Sequence, residues 1–273
     1  MRSIPTVTKA LLILNIAAFL IAKMVFGEVI VQGVPFLQLN WDLGLHYITS
    51  PGFHIYQFFT YMFMHGGWDH LFFNMFALWM FGCAVEKAWG TQRFLIYYIV
   101  CGIGAGLIQE AAQFCVYGTY PALGLTVGAS GAIYGILLAF GMTWPENRII
   151  IFPIPIPIKA KWFVCLYAAI ELFSALATSG DGVAHVAHLG GMLFGYLLIR
   201  HWKGGGQFGM NFKMPNFTKH KDKNQATDER NKDWTYNRDK MTREEVIDKI
   251  LDKVRRNGYE SLSAEEKRIL FEK

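Results

Sequence analysis

Ser130 and His188 have the clearest capacity for chemistry in this chain. Each stands at the head of an apolar segment, in Gly128-Ala129-Ser130-Gly131 and in Ala187-His188-Leu189-Gly190-Gly191. A polar group moved into hydrocarbon costs roughly 2–7 kcal/mol unless it is hydrogen-bonded, so an ionisable side chain inside a membrane segment marks a functional site until shown otherwise. A hydroxyl and an imidazole within about 3 Å make a nucleophile and its general base, the chemistry of a serine hydrolase. The competing reading is bland: Ser130 bonds back onto its own helix and His188 donates to a neighbouring carbonyl, as polar side chains in membrane bundles do.

Glycines show how the two side chains could meet. Gly131 and Gly135 are four apart, and Ala187, Gly191 and Gly195 repeat that spacing, so two small-residue faces can bring their helix backbones close; Gly128 is counted with the same helix-packing set. Ser130 borders one face and His188 the other. Generic packing would explain the glycines and leave the paired Ser and His as coincidence.

Tyr134 lies one turn after Ser130 on the same face, where its ring is expected to pack on the His188 imidazole and hold its orientation. No acidic residue stands where it could orient the ring instead. Asp181 falls in an outer loop and Glu171 deep in the fifth apolar segment, so a Ser/His dyad is expected in place of a triad. The second apolar segment carries His65, His70 and Asn74. His70 and Asn74 share a helix face, whereas His65 points about 140° away. His70 and Asn74 are read as donors to a developing oxyanion, joined by the Ser130 backbone N–H. His65 is read as a tie that holds the outer loop down. A metal site built on the two histidines is the alternative, but no third strong ligand is evident, and no metal or cofactor is expected. His185 is a rival base; the glycine pattern after His188 favours the latter.

These residues must be positioned by membrane helices. Residues 1–203 hold only ten of the 26 Lys and Arg and eight of the 21 Asp and Glu; the rest lie in 204–273. Six spans are predicted, at about 9–26, 56–84, 94–115, 125–144, 160–177 and 183–199, each near the roughly 20 residues that cross a bilayer. The first is kept as a retained helix, because Val25-Phe26-Gly27 before Glu28 is a poor signal-peptidase site. Nine of the ten basic residues up to Lys203 then fall on one side, with Lys23 the exception. Both termini are therefore expected in the cytoplasm, and the outer connections are 27–55, 116–124 and 178–182. The first is long and rich in Pro, Gly and aromatics, more than a simple hairpin needs. With spans four and six both entering from outside, Ser130 and His188 lie level, each about five residues or roughly 8 Å below the outer surface. Cys83, Cys101, Cys115 and Cys165 have no metal-ligand spacing and read as small hydrophobes. Residues 204–240 read as a polar linker and 241–273 as a helical hairpin that begins with a capping box at Thr242-Arg243-Glu244-Glu245.

Taken together, these motifs resemble the rhomboid family of intramembrane serine proteases over about residues 8–203. Gly128-Ala129-Ser130-Gly131 is similar to the family's nucleophile motif and Ala187-His188-Leu189-Gly190-Gly191 to its catalytic-histidine helix. His65, His70 and Asn74 match its second-helix pattern, Tyr134 its histidine-stacking tyrosine, and Glu86 with Gly90 the turn after the second helix. The chain departs at Tyr56-Gln57, where many bacterial relatives have a Trp-Arg pair in the first loop. The resemblance implies an endopeptidase that cuts transmembrane segments near their outer ends, with lateral substrate access by spans two and five.

The expected fold class is therefore all-α, a polytopic six-helix rhomboid-like bundle with a small cytoplasmic hairpin. The expected location is a bacterial inner membrane. Expected partners are the lipid bilayer, membrane-protein substrates with a transmembrane helix and an unidentified partner of the C-terminal hairpin; no nucleic acid is expected. The alternative is a catalytically inactive relative that binds membrane helices without cutting them. A transporter is not supported, because little polar character lies below Asn74 to form a through-path.

Overall fold

Helix α1 (Thr6–Ile21) starts just after Pro5 and runs on through a wider π turn, Ala22–Phe26, until Gly27 adopts φ 71° and stops it. The computed structural model describes residues 3–31, 34–119, 125–151, 154–177 and 184–203, together with Ser263. The chain divides into two units, Met1–Phe208 and Gly209–Lys273, and the linker and hairpin expected at 204–240 and 241–273 lie outside the described residues except for Ser263. Asp181 lies outside them as well.

The segment after α1 is built, as its composition suggested. Strands β1 (Glu28–Val31) and β2 (Val34–Leu37) pair antiparallel, α2 (Gln38–Leu43) follows, and β3 (Leu45–His46) comes next. Tyr47 Oη donates to the Gly118 carbonyl, the Ile48 amide donates to Glu110 Oε2 at 2.7 Å, and Asn40 Nδ2 donates to the His65 carbonyl at 2.8 Å. Gln57, fully buried, gathers the rest of the loop. Its Nε2 donates to the Gly52 carbonyl at 2.9 Å, and its Oε1 accepts from the His54 amide at 3.0 Å. Gln57 thus holds the loop through contacts with its backbone.

The second span differs from the continuous helix expected over 56–84. A short α3 (Gln57–Thr60) and one 3-10 turn (Tyr61–Phe63) give way to extended backbone at Met64 and Gly67. The long helix begins only at Trp68, as α4 (Trp68–Ala77), and passes through a π segment (Leu78–Gly82) into α5 (Cys83–Trp89). Gly66 and Gly67 explain the break, since glycine costs a helix about 1 kcal/mol each relative to alanine. Gly90, at φ 84°, then turns the chain into α6 (Thr91–Tyr117).

The fourth span is corrected in the same way. Residues 125–129 are not helical: β4 (Leu125–Thr126) pairs antiparallel with β3, matching Leu45 with Thr126 and His46 with Leu125. Helix α7 (Ser130–Thr143) opens on the serine itself, so Ser130 sits at a helix N-terminus and not five residues inside a helix. Beyond α7, β5 (Arg148–Ile151) and β6 (Ile154–Lys159) form a third ladder. Prolines at 155 and 157 forbid a helix there, and alternation puts their missing N–H groups on one edge while the isoleucines suit a strand. The expectation of an all-α protein is thus corrected to a mostly helical one with short ladders in its connections. Helices α8 (Ala160–Leu176) and α9 (His185–Lys203) complete the described residues.

Thr6–Phe26, Trp68–Trp89 and Thr91–Tyr117 are each long and apolar enough to cross a membrane; α7 is apolar but shorter. Large apolar side chains such as Ile13 of α1, Phe72 and Phe73 of α4, Phe173 and Leu176 of α8 and Leu197 of α9 are exposed. Hydrocarbon, not water, is the solvent that tolerates such a surface. In the interior, α9 packs against α6 and α7. A Cβ added at Gly191 would run into the Gly131 backbone carbonyl, and one at Gly135 would lie 3.2 Å from the Gly191 carbonyl oxygen. Gly195 faces Tyr97 and Cys101 of α6, and Tyr97 Oη donates to the Gly135 carbonyl at 2.8 Å.

Candidate active site

Close approach of α7 and α9 at Gly131 and Gly191 brings their first turns together. The result is a hydrogen bond of 2.8 Å between Ser130 Oγ and His188 Nε2. Ser130 is half-buried and His188 is buried. As the first residue of α7, Ser130 belongs to the turn whose N–H groups have no intrahelical acceptor. Tyr134, one turn on, lays its ring on the imidazole of His188, with centroids 4.3 Å apart and planes 8° from parallel.

A carboxylate is present beside this pair, contrary to the expectation that none would be. Glu171 of α8 is buried, and its Oε2 lies 3.0 Å from His188 Nδ1 and 2.6 Å from His185 Nδ1. Tyr134 Oη donates to Oε1 of the same group. The missed signal was the pair His185 and His188, three apart and so on one helix face, set against a lone acid towards the outer end of a neighbouring helix. His185 itself is turned to Glu171, and it is His188 that reaches Ser130.

Glu171, His185 and His188 are also the residues that could hold a metal ion, with one ligand atom of each lying within 4.8 Å of the others. Zinc donors stand about 2.0–2.2 Å from the ion and therefore roughly 3.3 Å from one another. The separation of 2.6 Å instead suits an N–H donor of His185 bonded to a carboxylate, and that of 3.0 Å an ion-pair contact between His188 and the same oxygen.

His70 and Asn74, on α4, approach from the other side. A Cβ built on Gly128 would lie 2.8 Å from His70 Nε2 and 3.5 Å from Ser130 Oγ, so this imidazole edge and the hydroxyl border one small space. The Gly66 amide donates to His70 Nδ1 at 3.3 Å, which leaves Nε2 as the proton-bearing nitrogen of the neutral ring. Asn74 is buried, and its Nδ2 has no hydrogen-bond partner among the described residues. Gly128 does not serve helix packing as expected: it precedes α7 at φ 128°, where only glycine is at ease, and its missing side chain makes the room for His70. The Gly128 amide donates to the Tyr61 carbonyl at 2.9 Å, fixing this link to the broken second span. The His65 ring packs edge-on against His70 at 5.1 Å, and it is the His65 carbonyl, not its ring, that ties down the outer loop through Asn40.

Comparison with known proteins finds relatives for the helical region. The family model described as Rhomboid domain matches residues 52–202, more than half of the chain, and a family of unknown function (DUF6576) matches residues 230–272. Rhomboid protein 1, mitochondrial, of Saccharomyces cerevisiae is 30% identical over 166 residues, 59% of this chain and 45% of that protein. Rhomboid protease AarA of Providencia stuartii is 33% identical over 158 residues, covering 51% of this chain and 55% of its own length. Rhomboid protease GluP of Bacillus subtilis is 42% identical over 85 residues, 31% of this chain and 15% of that protein. The chain spans about half the length of the first relatives it matches.

Proposed function

The chain belongs to the rhomboid family and is an integral, multi-pass membrane protein, and on that footing we propose that it is an intramembrane serine endopeptidase acting through Ser130 and His188. The observation that carries the reading is the 2.8 Å contact between Ser130 Oγ and His188 Nε2 at the meeting of two membrane helices. In this reading Ser130 Oγ attacks the scissile carbonyl carbon while its proton passes to His188 Nε2. The carbonyl electron pair moves onto oxygen. His70 Nε2–H, the Asn74 amide and the Ser130 backbone N–H are the donors assigned to that oxyanion. Collapse breaks the C–N bond, and Nε2–H protonates the leaving amine. Water then attacks the acyl-enzyme, giving a proton to Nε2, and the second collapse breaks the ester C–O bond as Nε2–H returns a proton to Ser130 Oγ.

The substrates are transmembrane segments of other membrane proteins, cut near their outer ends, since the site lies at the heads of α7 and α9. Six spans with both termini cytoplasmic, in a bacterial inner membrane, complete the reading. It is supported by the basic residues gathered on one side and by the bacterial relatives. Residues 1–203 are then the protease domain, 204–240 a linker and 241–273 a cytoplasmic hairpin with a partner of its own. Reconstituted protein should cut a model transmembrane substrate, and Ser130→Ala should reduce cutting to background. Undiminished cleavage by Ser130→Ala removes serine catalysis; no cleavage by the wild type, with substrate still bound, makes the protein an inactive helix-binding relative.

A further inference from the structure

A base at His188 has one requirement beyond proximity to Ser130. Its Nε2 must present a lone pair to the hydroxyl, so the ring proton must sit on Nδ1. Nδ1 is the atom 3.0 Å from Glu171 Oε2. We infer that Glu171 is the positioning residue for His188, which makes the site a Ser130–His188–Glu171 triad in place of a Ser/His dyad. The inference rests on the hydrolase reading above.

The surroundings of Glu171 are those that such a role needs. A buried carboxylate is costly unless its oxygens are bonded, and here the Tyr134 hydroxyl and His185 Nδ1 supply those bonds, while His188 Nδ1 lies 3.0 Å from Oε2 without hydrogen-bond alignment, a contact that a small rotation of the ring closes. Tyr134 Oη takes Oε1, which turns Oε2 toward the two histidines. The same tyrosine stacks on the His188 ring, so one side chain aligns both the carboxylate and the imidazole that it must meet. His185 Nδ1–H occupies a second lone pair of Oε2, and its ring stands at 90° to that of His188 with centroids 6.3 Å apart. His185 therefore braces the carboxylate without competing for Ser130.

When Nε2 accepts the serine proton, His188 becomes an imidazolium. The negative carboxylate beside Nδ1 stabilises that cation, and it needs no proton of its own to do so. Because Glu171 is on α8 while Ser130 and His188 are on α7 and α9, the base is oriented only when α8 is docked against the other two. That dependence follows from the helix assignments alone.

Glu171→Gln keeps the shape and removes the charge. In reconstituted full-length protein it should lower kcat on a model transmembrane substrate by about 10- to 10⁴-fold, and leave KM within about twofold, as expected of a group acting in the transition state. The rate at which a serine-reactive phosphonate modifies Ser130 should fall in parallel. A folded Glu171→Gln protein with wild-type kcat and labelling rate overturns the inference, as does a loss confined to KM. Should that variant not fold, ¹⁵N-histidine NMR of the wild type decides the matter. The neutral His188 ring should carry its proton on Nδ1, and a proton on Nε2 overturns the assignment. Wild-type protein that neither cuts nor labels defeats the hydrolase reading itself, an outcome distinct from an active enzyme indifferent to Glu171.

Discussion

Two buried glutamates stand in different parts of the bundle, and their donors set them apart. Glu86, in α5, accepts the Val7 amide at 3.0 Å, the Thr8 amide at 2.7 Å, the Thr8 hydroxyl at 2.8 Å and the Thr91 hydroxyl at 3.2 Å. The two amides are first-turn N–H groups of α1, which lack intrahelical acceptors and carry the positive end of the helix dipole. None of these donors can change its proton count near neutral pH. Glu171 is equally buried, but beside the Tyr134 hydroxyl the groups that face it are the imidazoles of His185 and His188, the second of them bonded to Ser130. A carboxylate held by backbone amides is a clamp; one held by histidines can take part in proton transfer.

The comparison breaks most visibly at the hydroxyl that only the second region serves. Ser130→Ala and His188→Ala should each lower kcat by roughly 10⁴-fold or more, and the double variant should be no worse than either single one. Additive losses in a cleavage assay would mean that the two do not act as a unit. His70→Ala or Asn74→Ala should cost roughly 10- to 1,000-fold in kcat if each donates to the oxyanion; a change seen only in KM would assign them to substrate positioning.

Glu86 sharpens the contrast from the other side. Glu86→Gln removes the charge from bonds made to α1 and should cost about 1.5–3 kcal/mol of stability, read as a lower melting temperature in detergent. Cleavage per folded molecule should stay the same. Loss of kcat without loss of stability would show that this region too serves catalysis. The smallest effect is expected at Glu146, a fully exposed carboxylate that bonds Lys159 and Lys161. These bonds hold its pKa down to about 2. Whatever the pair adds is therefore present above the ordinary carboxylate range and lost as pH falls toward about 2. Glu146→Gln should leave the melting temperature at pH 7 nearly unchanged, and a marked drop would show a constraint between the β5–β6 ladder and α8 that the exposed pair does not suggest.

The two regions were not equally legible. The meeting of Ser130 with His188 and the stacking of Tyr134 depend on periodicity within helices, and small residues four apart announce a close contact before its partner is known. Glu86 and Gly90 were recognisable only as a turn, because the clamp depends on where the chain's first residues return in space. Glu171 is hard to read from the sequence for a related reason: its reach to His188 depends on the rotation of α8 against α9, which no local pattern encodes. Long-range pairing also hid the true start of α7. Leu125 and Thr126 read as the beginning of an apolar helix, yet β3, about 80 residues earlier, draws them into a ladder. The break at residues 64–67, by contrast, is written in Gly66-Gly67, although apolar residues continue on both sides of it.

Everything proposed for the site depends on activation of the Ser130 hydroxyl by His188. A serine-reactive phosphonate applied to purified full-length protein, followed by intact-mass analysis and peptide mapping, tests that activation without knowledge of the natural substrate. The expected result is one adduct, located on Ser130, and its loss in folded His188→Ala. A folded wild-type protein that stays unmodified by several such probes, or a His188→Ala protein that labels as fast as the wild type, would contradict it.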